Sequence, residues 1–188
     1  MTCIVGIEED GNVYIGGDSL GSNADWHKTV RADEKVFRRV QPDTDEPYIF
    51  GFTTSFRMGQ LLRYSLSIPA RHTKVDIFEY LATDFIDACR TTWKDGGFGK
   101  IENGEEIGGT FLLGYQGKLY TIQCDNQISR SVLTFAACGC GEYYALGCLY
   151  GLSSIGTLAP KERITKALEA ATMHSAGVGS PYHIVSLH

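Results

Sequence analysis

Strand-forming and helix-forming segments come in blocks along this chain, and that blocked order most limits the folds open to it. A run of strands is followed by two helical segments, then by more strands, two further helices and a closing strand. Parallel sheets built from single crossovers would need strands and helices to alternate one by one. Blocks instead predict antiparallel sheets with helices on their outer faces, an α+β chain folded as a four-layer αββα sandwich.

The opening stretch, MTCIVGIEEDGNVYIGGDS, reads as a hairpin. Residues 2–7 are apolar and largely β-branched, Asp10-Gly11 is a strong turn signal, and residues 12–15 alternate polar and apolar. A second strand pair, 35–40 and 48–52, flanks a turn-rich loop in which Pro42 and Pro47 stop either strand from running through. Met58, Leu61, Leu62 and Leu66 then share a helical face that Pro69 closes. Between positions 74 and 93, Phe78, Leu81, Phe85, Ile86 and Cys89 recur at helical spacing.

Residues 94–109, KDGGFGKIENGEEIGG, read as a flexible glycine-rich loop. Two strands around Gln116-Gly117, a strand over 132–138 and a helix over 141–152 come next. A last helix starts near Pro160 and turns Ile164, Ala167, Leu168 and Ala171 to one side, before a closing strand over 182–187. No linker, repeat or low-complexity tract divides the 188 residues, so one domain spanning 1–188 is expected.

Composition narrows the function. A formal charge of −5 with no large basic cluster argues against nucleic acid as a partner, because phosphate binding draws on clustered Lys and Arg. No stretch is apolar enough to span a bilayer, and the N-terminus lacks the basic and apolar regions of a signal peptide, so a cytoplasmic protein without a membrane partner is expected. The six cysteines include Cys138-Gly139-Cys140, whose spacing is poor for zinc, and no metal site or cofactor is expected. Gly139-x-Gly141 lacks the third glycine of a dinucleotide loop, and no G-x-S-x-G elbow is present.

Thr2 stands directly behind Met1. Its side chain is small enough for methionine aminopeptidase to remove Met1, which would leave a free α-amine beside a hydroxyl. A threonine hydroxyl is a poor nucleophile until a base takes its proton, and an α-amine with an ordinary pKa of roughly 7.7–8.0 can take it near neutral pH. Cys3 would become N-terminal only if Thr2 were also lost.

Five segments in order, TCIVGIEEDGNVYIGGDS, DEKVFRRV, YIFGFTTSFRMGQLL, GGTFLLGY and CGCGEYYALGCL, resemble the successive blocks of proteasome β-subunits and of the bacterial ring peptidase HslV. The resemblance covers nearly the whole chain and implies an N-terminal nucleophile hydrolase of αββα fold. It implies that Thr2 is the nucleophile, that Lys35 lies beside it, and that Asp18 keeps Lys35 charged and oriented. Substrate and oxyanion contacts fall to Thr53, Thr54 and Ser55, with Thr54 standing where the family has a glycine.

Cys140 stands where the family has a serine that supports the N-terminal amine, and a thiol is the weaker partner. Where the family carries an aspartate and a serine after the last helix, this chain has Met173 and Ala176, and His174 or Ser175 are the nearby substitutes with a shifted register. The implied activity is hydrolysis of peptides or unfolded polypeptide in a homo-oligomeric ring, with an ATP-dependent unfoldase as a possible partner. A catalytically silent β-like subunit and a non-proteolytic amidohydrolase are the alternatives.

Overall fold

The computed structural model describes residues 1–22, 27–156 and 158–188. Strands β1 (Cys3–Glu9) and β2 (Asn12–Asp18) form the expected hairpin, turning at Asp10 and Gly11, both with positive φ. Strands β3 (Leu20–Ser22) and β4 (Lys28–Val30) make a short ribbon that was not anticipated. Strands β5 (Val36–Val40) and β6 (Pro47–Phe52) pair as expected.

Helix α1 (Phe56–Tyr64) is capped by the Ser55 hydroxyl, which accepts from the Arg57 N–H. The next helical segment starts at the cap Asp76 and comprises α2 (Ile77–Tyr80), a π turn over Leu81–Phe85, and α3 (Ile86–Asp95). Its buried stripe runs through Tyr80, Leu81, Phe85, Cys89 and Trp93, while Phe78, expected on that stripe, is 45% exposed.

The stretch 94–109 is not a featureless loop. It contains a hairpin, β7 (Lys100–Glu102) and β8 (Glu105–Ile107), turning on Asn103-Gly104 with φ of 51° and 85°. Asn-Gly favours the left-handed conformations that tight hairpins require, and the surrounding glycines masked that signal. Strands β9 (Phe111–Tyr115), β10 (Lys118–Ile122) and β11 (Ile128–Ser129) follow. Strand β12 (Phe135–Gly139) begins three residues later than the sequence suggests, because Thr134 has a φ of 57°, which an extended strand cannot contain. Helices α4 (Glu142–Ser153) and α5 (Pro160–His174) and strand β13 (Tyr182–Leu187) complete the order.

Two antiparallel sheets result, one ordered β12-β1-β2-β13 and the other β11-β10-β9-β6-β5. The period of two in each strand sorts side chains to its two faces. In β1, Cys3, Val5 and Ile7 pack with Ile164, Leu168 and Ala171 of α5. Ile4, on the opposite face, packs with Val36, Ile49 and Leu112 of the other sheet. In that second sheet Phe37, Tyr48 and Phe50 turn outward onto Leu62, Phe85 and Trp93 of the first helix pair. Three apolar interfaces thus separate four layers, the αββα sandwich expected from the blocked order. Gly51 lets the sheets approach, since a Cβ there would lie 2.5 Å from Ile4 and 2.6 Å from Ile15.

Glu8 ties the sheets together at one end. Its buried carboxylate accepts from the Leu119 N–H at 3.0 Å and from Lys118 Nζ and Arg130 Nη2, each at 3.0 Å. Burial works against its ionisation, and these three donors outweigh burial and hold its pKa below the ordinary 4.5. A carboxyl with a depressed folded-state pKa adds stability that is fully present above its unfolded value and is lost as pH falls through the folded one. We predict that Glu8→Gln lowers stability at neutral pH and flattens the acid limb below pH 4.5, read from denaturant midpoints across that limb; parallel limbs for both proteins would contradict the assignment.

Candidate active site

Thr2 precedes β1, and pairing of Cys3 with Gly139 and of Ile4 with Gly17 seats it at one end of the first sheet, where β1, β2 and β12 meet. Thr2 is only 5% exposed, whereas Met1 is 49% exposed. The Thr2 hydroxyl donates to the Met1 carbonyl at 2.5 Å. Gly139 closes this corner with a φ of 100°, and a Cβ there would collide with the Thr2 carbonyl. A left-handed backbone pressed against another main chain requires glycine.

Asp18 ends β2 with its carboxylate inside the protein. Oδ1 accepts from the Cys3 N–H at 3.0 Å and from Lys35 Nζ at 2.8 Å; Oδ2 accepts from the N–H groups of Leu20 at 3.1 Å and Gly179 at 3.2 Å. Lys35 also donates to the Leu20 carbonyl at 2.7 Å. The side chains of Lys35 and Asp18 are 1% and 0% exposed. Burial lowers the Lys35 pKa, and the charge and hydrogen bond of Asp18 work against that fall. Through Asp18 Oδ1, the lysine shares an acceptor with the residue next to Thr2.

Cys140 sits on the other side of Thr2. The Thr2 N–H donates to Cys140 Sγ at 3.4 Å, and the thiol is 3.4 Å from the Thr2 carbonyl. Ser175 Oγ donates to the same sulfur at 3.4 Å, forming a relay from Ser175 through Cys140 to the Thr2 nitrogen. His174 does not reach this corner; its ring packs on Tyr144 at 5.3 Å between centroids. Met173 is 78% exposed on α5, and Ala176 is exposed too. It is Gly177 whose added Cβ would meet Met1 and Cys140. Cys3 is buried, and burial, reinforced by the Asp18 charge, raises its pKa and keeps it a thiol.

Thr53, Thr54 and Ser55 border the corner from the second sheet. Thr53 is anchored by donation from its N–H to the Thr110 carbonyl at 3.1 Å. Thr54 adopts a φ of 66°, a left-handed conformation costly for a β-branched residue, and its hydroxyl accepts from the Thr110 N–H at 3.1 Å. Among the described residues its own N–H has no partner. The backbone shape a glycine would adopt is thus retained by a threonine held from its side chain. Ser55 serves as the cap of α1.

The backbone donors of Cys3 and Gly179 were not read from the sequence, because no side chain announces them. The only signal was the glycine-rich GVGS stretch after α5. A cavity of about 220 Å³ between α3 and the β7–β8 hairpin, lined by Arg90, Trp93 and Ile101 among others, contains no residue of this cluster. Chemistry rather than volume therefore locates the site. Among the described residues no group of His, Cys, Asp or Glu is arranged to hold a metal ion, and no helix is long and apolar enough to cross a membrane.

Removing one member of a buried ion pair strands the other charge. Asp18→Ala is expected to cost about 3–5 kcal/mol in denaturant unfolding, and the double change Asp18→Ala, Lys35→Met should recover part of that loss. Two single changes that add independently would mean the pair is not coupled.

No family model and no curated protein matches the chain. Solved structures match it over nearly its full length. BPH from Thiobacillus denitrificans, in complex with epoxomicin, superposes with a TM-score of 0.80 at 17% identity, covering 99% of this chain and 98% of that one. HslV from Trypanosoma brucei gives 0.70 at 15% identity, covering 98% of each chain. The Anbu complex from Pseudomonas aeruginosa, described as a helical assembly, gives 0.65 at 15% identity over 100% of this chain and 81% of that one. The layers, their order and these superpositions together give the chain the αββα fold of proteasome-type proteins.

Proposed function

We propose that this chain is a proteasome-like threonine hydrolase that cuts peptide bonds through an acyl-enzyme on Thr2, exposed by removal of Met1. The observation that carries the reading is the convergence on one buried corner of Thr2, the Lys35–Asp18 ion pair and Cys140. Once Met1 is gone, the Thr2 α-amine accepts the proton of its own hydroxyl as Oγ attacks the substrate carbonyl carbon. Lys35 supplies fixed positive charge that favours the developing alkoxide, and Asp18 holds Lys35 in place.

The unpartnered Thr54 N–H is the donor for the oxyanion of the tetrahedral intermediate. The protonated amine then gives its proton to the leaving amine, the C–N bond breaks, and an ester remains on Thr2. Water, deprotonated by the amine, hydrolyses that ester and regenerates the hydroxyl. Cys140, braced by Ser175, positions the amine where the resembling family uses a serine. The amine released at position 2 is the same nitrogen that now donates to Cys140 Sγ.

The neighbours support an assembled state for this chain as well. The Anbu complex forms a helical assembly, and a homo-oligomer that encloses the Thr2 corner would confine hydrolysis to unfolded polypeptide, with an unfoldase as a partner suited to feeding it. BPH is described in complex with epoxomicin, an epoxyketone, which supplies the probe.

Intact mass spectrometry before and after exposure to a peptide epoxyketone tests the nucleophile. The expected result is a chain lacking Met1 that gains one adduct, and a Thr2→Ala variant that gains none. A chain still carrying Met1, or a processed chain without adduct, would favour a catalytically silent subunit. Labelling without peptide cleavage would favour an amidohydrolase.

A further inference from the structure

Between Gly21 of β3 and Phe56 at the start of α1 lies Arg31, which the chemistry at Thr2 does not use. Its side-chain stem runs over the Gly21 backbone, where a Cβ would come within 3.0 Å of Arg31 Cδ. Its guanidinium lies over the Phe56 ring, 3.8 Å from Cζ to the centroid. Lys35 Nζ lies 5.7 Å from the centroid of that same ring, so Phe56 is a wall shared by the Lys35–Asp18 pair and by Arg31. Phe56 is itself held by edge contact with Phe52 of β6.

Asp33 fixes the rotation of the guanidinium. Its carboxylate accepts from Arg31 Nε at 2.7 Å and from Nη2 at 2.6 Å. A guanidinium carries five N–H donors in a fixed planar fork, and this pairing uses only its Nε–Nη2 edge. The Nη1–Nη2 edge has no partner among the described residues. The Arg31 side chain is 34% exposed and so within reach of a ligand. A guanidinium packed against a ring and pinned along one edge has little rotamer freedom left to lose on binding, and its free edge matches a carboxylate with two parallel hydrogen bonds.

We propose that Arg31 reads the substrate, selecting peptides with an acidic side chain on the residue whose carbonyl Thr2 attacks. Arg31 and the Lys35–Asp18 pair meet the same Phe56 ring, and an aspartate or glutamate side chain of a peptide held at Thr2 would meet the free edge of Arg31 on that side. Asp33 is a positioning residue that keeps the guanidinium plane in place. This selection rests on the reading of Thr2 as the nucleophile.

Fluorogenic peptides that differ only in glutamate, glutamine, leucine or lysine at that residue test it on the purified assembly. The glutamate peptide is expected to have the highest kcat/KM. Arg31→Met, which keeps the stem over Gly21, should lower that value roughly 10- to 100-fold, the range of a charged hydrogen-bonded contact, and leave the leucine peptide within about twofold. Arg31→Lys, which keeps the charge without the fork, should fall between. Cleavage with no preference for glutamate, or an equal loss on all four peptides, overturns the selection and leaves the threonine reading standing.

A second measurement does not need turnover. Calorimetric titration of the Thr2→Ala protein with acetylated tripeptide amides ending in glutamate or glutamine should show tighter binding of glutamate, abolished by Arg31→Met. Such binding with no cleavage by the unmodified chain would keep the acidic selection and discard the hydrolase. Equal binding of the two peptides would discard the selection itself.

Discussion

An ammonium and a carboxylate withdrawn from water cost several kcal/mol each, and their mutual attraction offsets that cost only when every remaining donor and acceptor is satisfied. Asp18 accepts four hydrogen bonds and Lys35 donates two, with main-chain partners drawn from three residues. The N–H groups of Cys3, Leu20 and Gly179 all point at the Asp18 carboxylate, and the Leu20 carbonyl accepts from Lys35. The start of β1, the end of β2, the segment before β5 and the turn before β13 are thereby fixed to one another around a single charge pair. Hydrophobic burial would press these segments together in many arrangements; the pair permits few of them.

Because most of the pair's hydrogen bonds run to the main chain, the side chains around it are free to differ. Cys140 and Ser175 form a relay to the Thr2 nitrogen, with a thiol at its centre. Thr54 occupies a left-handed backbone position suited to glycine and is stabilised there by its own hydroxyl. Arg31 and Asp33 form a partly exposed ion pair beside Phe56, and such a pair contributes little to stability. The corner thus combines a rigid buried charge pair with an outer rim in which substitution is physically inexpensive.

The strand and helix pattern was readable wherever one periodicity persisted. Ile164, Ala167, Leu168 and Ala171 declare a face without reference to the rest of the chain, whereas the uniformly apolar run 3–7 announces a strand buried on both sides. Short elements failed that reading: three-residue strands such as β7 and β8 are too brief for a period to show, and the Asn103-Gly104 turn between them was hidden among other glycines. Thr134 could not be foreseen as a break, because a positive φ at a β-branched residue is imposed by surroundings, here with its carbonyl held by the Glu8 N–H at 2.7 Å. Thr2, Asp18, Lys35 and Cys140 could be singled out by type and resemblance, and the structure brings them to one corner. Ser175 rather than His174 faces the thiol, since the end of α5 turns His174 onto Tyr144.

By itself the sequence determined the four layers, because periodicity is local: a period of two or of 3.6 residues fixes which face each segment buries, and the blocked order fixes how those faces can stack. Only the tertiary structure decided the contents of the corner. Lys35 and Asp18 are 17 residues apart, Cys140 and Thr2 138, and Gly179 and Asp18 161. Main-chain donors such as those of Cys3 and Gly179 carry no residue-type signal at all, and the direction of the free edge of Arg31 depends on where Phe56 and Asp33 come to rest. Those contacts arise from sheet register and chain closure, which no stretch of sequence encodes alone.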